Sequence, residues 1–274
     1  MNRGLIATAV VIVIALILAA KFVFLDRNRE LVSPQRVESV PVPEKQQEAP
    51  VETGPRYPVS EIRVDAMYRS MPEPEEEPLP ELAQSDEPLR EMVAGMDAGE
   101  RLDDLFIFDS VIRHFVVTVD NMTREKLPQK YRIAERVPGS FMVEETGDPD
   151  RYFLDPENYQ RYTPFIEVAE VIDLSALLAI YSRYYPLFQE AYEELGYPDR
   201  YFNDRLIEVI DHLLAAPRVE GRIELVRPKV FYRFADADME SLSAGQKAMI
   251  RMGPDNAERI KTRLRELRAL LVRD

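Results

Sequence analysis

The hydrophobic positions divide the chain into three stretches of different character. From Leu5 to Leu25, behind a four-residue tail (1–4), the run LIATAVVIVIALILAAKFVFL is interrupted only by Thr8 and Lys21. These 21 residues, as a helix rising about 1.5 Å per residue, would span roughly 31 Å, close to the roughly 30 Å hydrocarbon core of a bilayer. Residues 5–25 are therefore expected to form a transmembrane helix, with Lys21 reaching its amine back to the headgroups. A cleaved signal peptide is the competing reading. Its apolar region would be shorter, and Leu18-Ala19-Ala20 is a weak cleavage site. Counting Lys and Arg around the span places the C-terminal side in the cytoplasm. The very short tail and large body instead fit an N-in anchor with an exported body, and that orientation is adopted as the expectation.

Residues 26–80 lose the periodicity and hold ten of the 21 prolines, mixed with acids and ending in Pro72-Glu73-Pro74-Glu75-Glu76-Glu77-Pro78. Proline removes backbone donors and like charges repel, so this stretch reads as a disordered Pro/Glu-rich linker. Within it Val59–Met71 is less polar and stands out as a docking motif.

Residues 82–274 read as one soluble domain, mainly α, of six to seven helices with a small β-hairpin. Helices are expected at about 86–96, from near 102 to 122, at 175–195, 199–216, 238–252 and 254–272. Leu105, Phe108, Ile112, Phe115, Val119 and Met122 recur at three and four, although Val116–Val119 also has strand composition. Leu177, Tyr181, Tyr184, Phe188, Tyr192 and Leu195 form the stripe of the long helix, which contains Pro186 and ends at Gly196. Phe141–Glu145 and Arg151–Leu154 flank Gly147-Asp148-Pro149 as a hairpin, and Ile223–Phe234 is strand-like but carries Pro228.

Composition narrows the chemistry. A formal charge of −14 makes nucleic acid a poor partner, since phosphate binding needs clustered cations. Without cysteine there is no disulfide, thiolate metal site or Cys nucleophile, and with two histidines no His-rich metal centre. No phosphate loop, nucleophile elbow or His-Glu-x-x-His occurs, so no catalytic residue, metal ligand or cofactor is expected.

Two surfaces remain as candidates. The first is a polar helix face, Asn203, Asp204, Arg205, Glu208 and His212, where Glu208 lies one turn before His212 and should favour its imidazolium. Nine of the 13 tyrosines fall between Tyr152 and Tyr201, and Tyr159, Tyr162 and Tyr185 lie off the core stripe. Tyrosine pairs an apolar ring with a polar tip, which suits a ligand or partner surface. The second surface is the last helix, where Ile260, Leu264, Leu267 and Leu271 form an apolar seam between Arg259, Lys261, Arg263, Arg265 and Arg268. That pattern suits self-association or a partner helix. His114 reads as a structural histidine.

The stretches Arg113-His114-Phe115-Val116-Val117-Thr118-Val119-Asp120-Asn121, Tyr184-Tyr185-Pro186-Leu187-Phe188-Gln189-Glu190-Ala191-Tyr192, Leu195-Gly196-Tyr197-Pro198, Phe202-Asn203-Asp204-Arg205-Leu206 and Ser243-Ala244-Gly245-Gln246-Lys247 resemble a proteobacterial membrane-anchored family of unknown function, domain family 3014. The resemblance covers about residues 80–272 and implies a bacterial envelope protein, with no activity, cofactor or site residue to carry over. The expectation is a single-pass inner-membrane protein whose tethered body, in the periplasm, is a non-enzymatic binding or scaffold module. The alternative is a domain that binds or weakly hydrolyses a small molecule or cell-wall glycan through the polar helix face and nearby tyrosines.

Overall fold

A computed structural model describes residues 54–62, 78–94, 105, 107–131 and 137–272. The expected membrane anchor and most of the linker lie outside these residues. No helix among the described residues is long and apolar enough to cross a membrane.

The fold is mainly helical. Eight α-helices are described: α1 (Asp86–Ala94), α2 (Val111–Asn121), α3 (Thr163–Val171), α4 (Leu174–Glu194), α5 (Phe202–Leu214), α6 (Ala237–Ser241), α7 (Ala244–Arg251) and α8 (Pro254–Leu271). The hairpin β1 (Val143–Glu145) and β2 (Arg151–Leu154) continues into β3 (Glu224–Val226) and β4 (Arg233–Phe234), giving an antiparallel sheet of order β1-β2-β3-β4. The expected hairpin is therefore half of a sheet, and Ile223–Phe234 is two short strands. Pro228 sits in the turn between them, where its missing N–H costs the ladder nothing.

Helix α2 is the centre of the body. Val111, Ile112, Phe115, Val116 and Val119 are buried against α4 and α5, and even Thr118 and Asp120 are enclosed. Burial on every side explains why a β-branched run with strand composition settles as helix: packing overrides the small propensity cost. Phe115 meets Phe188 and Phe202 edge to face, with centroids 5.4 and 5.9 Å apart. Helix α8 then lies across α3 and α5. The long-helix stripe is buried as expected, except that Leu195 is exposed beyond the last turn.

Caps decide the boundaries that periodicity misplaces. The expected start near Leu102 lies outside the described residues; Leu105 is helical, residues 107–110 are not, and α2 begins at Val111, where the Asp86 carboxylate at the start of α1 accepts the N–H groups of Ser110 and Val111 at 2.6 and 2.9 Å. Ser110 is left-handed, at φ 50°. The closing segment 238–252 is two helices, since Ser243 Oγ accepts the Gln246 N–H and starts α7 anew. Asp173 caps α4 in the same way. Helix α3, following the 3₁₀ turn Pro156–Tyr162, has no counterpart in the periodicity reading, and it lifts the count above six or seven.

Residues 54–62, read from composition as linker, rest against the body. Val59–Glu61 forms a 3₁₀ turn packed on α4, and Ile62 is buried in the main core. The expected docking motif thus docks, through its described residues Val59–Ile62, on its own chain.

Gly253 separates α7 from α8 at φ 90°, and a Cβ there would lie 2.6 Å from Cγ of Tyr159. Gly196, at φ 100°, has nothing within 4 Å of such a Cβ. Both Ala variants carry backbone strain of about 1–3 kcal/mol, and only Gly253→Ala adds a clash. Urea unfolding of the two should show the larger loss for Gly253→Ala; equal losses would mean that the Tyr159 contact is not tight.

Candidate functional site

The polar face of α5 is assembled from residues far apart in sequence. Asn203 is fully buried; its Oδ1 accepts the Tyr181 hydroxyl at 3.1 Å and its Nδ2 donates to the Tyr57 carbonyl at 2.8 Å. Asp204 accepts the backbone N–H groups of Arg56 and Tyr57 at 2.9 and 2.8 Å. Two neighbouring side chains therefore grip the peptide backbone of the strap formed by residues 54–62.

Arg205 turns the other way. Its Nε donates to Asp120 Oδ1 at 3.1 Å, and its Nη2 donates to the Asp120 carbonyl and Thr123 Oγ1 at 2.6 Å each. Glu208 pairs with Arg205 at 2.8 Å. Asp120 also accepts from Arg124 at 2.8 Å, and Arg124 donates to the Tyr197 hydroxyl at 3.0 Å. The buried Asp120 carboxylate so ties the end of α2 to α5 through charge-assisted bonds.

At His212 the expected pull of Glu208 towards the imidazolium is present but outweighed. Burial, with the Arg205 charge second, lowers its pKa below the ordinary 6.5, and Glu208, engaged with Arg205, opposes this only in part. Its Nε2 lies 2.7 Å from Ser243 Oγ, the same oxygen that accepts the Gln246 N–H. A neutral ring accepting the Ser243 O–H at Nε2 leaves that oxygen free to cap α7, so the pair joins α5 to the start of α7.

The tyrosines separate. Tyr185 belongs to the α5 assembly: its hydroxyl donates to Gln189 Oε1 at 3.1 Å, and Gln189 accepts the Phe202 N–H that opens α5 at 2.9 Å. Burial pushes the Tyr185 hydroxyl up to about 12. Tyr159 packs on Gly253 and accepts from Asn256 through its carbonyl at 2.9 Å. Tyr162 is 1% exposed, and its ring is core, not surface. None of the three, Tyr185 included, lines the cleft beside α5.

The seam on the last helix is occupied. Ile260, Leu264, Leu267 and Leu271 are at most 2% exposed and face α3 and α5. The flanking cations pin this packing: Arg259 pairs with Glu170, Arg263 donates to the carbonyls of Ala169 and Ile172 that end α3, and Arg268 pairs with Asp211. The amphipathic pattern was real, and its partner is the domain's own interior. His114 lies edge-on to Tyr131 at 5.7 Å, within α2's packing.

Among the described residues a half-open cleft of about 600 Å³ lies between the strap and α5. Arg56, Tyr57, Tyr201, Asp204, Glu208 and Arg268 are among its walls. Among the described residues no group of three or more His, Asp or Glu converges as a metal site would require. Sequence reasoning missed Asp120, Gln189 and the Arg56–Tyr57 strap. An acid directly after the apolar run Phe115–Val119, still on the helical pattern that continues to Met122, was the available signal for Asp120; nothing in a Pro-rich stretch announces backbone donors.

A depressed His212 pKa makes stability pH-dependent. Above 6.5 the group is neutral in both states and the stability is complete. As pH falls from 6.5 to the lower folded-state value the unfolded chain takes up the proton first, so stability is lost. Urea unfolding at pH 7.5 and pH 5 should show a loss in the native chain that is smaller in His212→Gln; an identical loss would remove His212 from the account.

No curated protein and no solved structure matches the chain. One family model does, over residues 111–268, from the first residue of α2 into the last turn of α8. This match is narrower than the resemblance over residues 80–272 and leaves the strap and α1 outside it. It covers more than half of the chain, and the protein belongs to the DUF3014 family, described as a protein of unknown function.

Proposed function

We propose that this chain is a single-pass bacterial inner-membrane protein, anchored by residues 5–25, whose helical body is a non-enzymatic binding or scaffold module in the periplasm. The anchor rests on the apolar run Leu5–Leu25. The carrying observation is how the α5 polar groups are spent. Asn203 and Asp204 hold the strap, Arg205 and Glu208 join the Asp120 network, and His212 joins Ser243. Side chains committed to fixed bonds build a surface of fixed shape, which suits binding. With the α8 seam filled, the face left for a partner is the cleft between the strap and α5.

The second reading, a small-molecule or cell-wall glycan site, is favoured by one feature. The cleft is concave, and Tyr57 and Tyr201 lie in its wall, where rings can stack on a sugar.

Because the chain has no cysteine, Tyr201→Cys gives one addressable position in that wall. A membrane-impermeant maleimide carrying a photocrosslinker, added to intact spheroplasts, should label it and on illumination give one discrete adduct. The same label on Val171→Cys, a 60% exposed position, should give none. Labelling only after lysis would refute the periplasmic placement. Labelling without an adduct specific to Tyr201→Cys would refute the binding face, and an adduct of glycan mass would favour the second reading.

A further inference from the structure

The strap is held in a way that does not depend on its being covalently part of this molecule. Asp204 reads two consecutive backbone N–H groups, and the buried Asn203, held by Tyr181, reads the carbonyl that follows. Val59 and Tyr57 pack on the core from its edge, and Ile62 enters it. This is recognition of a bent peptide backbone, through bonds to a preorganised acceptor and donor, with apolar side chains for register.

The strap rejoins the body through residues 63–77. These 15 residues reach at most roughly 50 Å when extended. A linker of that length places the strap near its own groove at an effective concentration on the order of mM. A second copy carries an identical strap, so its contacts in the groove would be the same, and only the effective concentration separates the two arrangements. Copies held by one anchor each in a shared membrane are confined to two dimensions, which narrows that difference.

We infer that the Asn203–Asp204 groove is an exchangeable peptide-backbone site, and that the occupant it takes in trans is the Arg56–Ile62 segment of a second copy of this chain. The inference rests on the binding reading above and names its partner. It also supplies the self-association that the buried α8 seam does not provide.

Complementary variants of the full chain in detergent micelles test this. Arg56→Pro/Tyr57→Pro removes the two strap donors and leaves the groove intact. Asp204→Ala removes the acceptor and leaves the strap intact. Each carries Val171→Cys for donor or acceptor dye, on a residue remote from the cleft lining. The mixture of the two variants should show energy transfer at a tenfold or greater lower concentration than either variant mixed with itself, a comparison that cancels any pairing through the anchors. Transfer no greater than in the single-variant mixtures, with both variants folded by circular dichroism, would overturn the inference.

Should either variant unfold, the otherwise native chain decides. Arg56→Cys copies and Tyr201→Cys copies, mixed at millimolar concentration with a short bismaleimide, should link to each other. A chain carrying both cysteines serves as the control for linkage within one copy; linkage in that chain with none between the single-cysteine copies would overturn the exchange. In both experiments only purified copies of this chain are present, so an exchange that fails while the spheroplast adduct forms refutes the second copy as partner and not the binding face.

Discussion

The buried carboxylate of Asp120 is the constraint around which the body is arranged. It lies at the end of a helix that is apolar on nearly every side, and it is almost closed off from water. A carboxylate in that position is costly unless its oxygens are satisfied. Arg205 and Arg124 satisfy them, and Arg205 also takes the Asp120 carbonyl and the Thr123 hydroxyl just beyond the helix. These bonds fix the rotation of α5 against α2. Once that rotation is set, Phe202 meets Phe115, and Asn203 and Asp204 face the strap.

The polar face of α5 thus does two mechanical jobs from adjacent positions. Arg205 looks inward to the end of α2, and Asp204 looks outward to a backbone contributed from 147 residues earlier. His212, a turn and more further on, joins the same helix to the start of α7 through Ser243. A helix bonded to three separate parts of the chain is a rigid platform. A rigid wall on one side, and on the other a strap held by Asn203, Asp204 and the burial of Ile62, give the cleft a defined geometry.

The helical character and most of the core were legible in the sequence, because α4 and α5 are long and bury one continuous stripe. Phe202, Leu206, Val209, Ile210 and Leu213 are all buried as their spacing implies. Less was legible wherever a side chain reaches across the fold. Asp86 capping α2 from α1, Asp204 holding the strap and Arg263 closing the end of α3 are long-range bonds, and spacing along one helix carries no trace of them. The α8 seam shows the same limit differently: an apolar stripe records that something covers it, and whether the cover is the domain itself or another molecule is a tertiary fact. Composition misread residues 54–62 because proline disfavours regular helix and sheet without excluding a fixed, packed path.

The central claim is that α5 holds residues 54–62 through their backbone. Hydrogen exchange of the full chain, read at single amides, tests it most directly. The account predicts that the Arg56 and Tyr57 amides are protected in the native protein, and that Asp204→Ala abolishes this protection while the amides of α5 stay slow. Free-peptide exchange rates at Arg56 and Tyr57 in the native protein would contradict it.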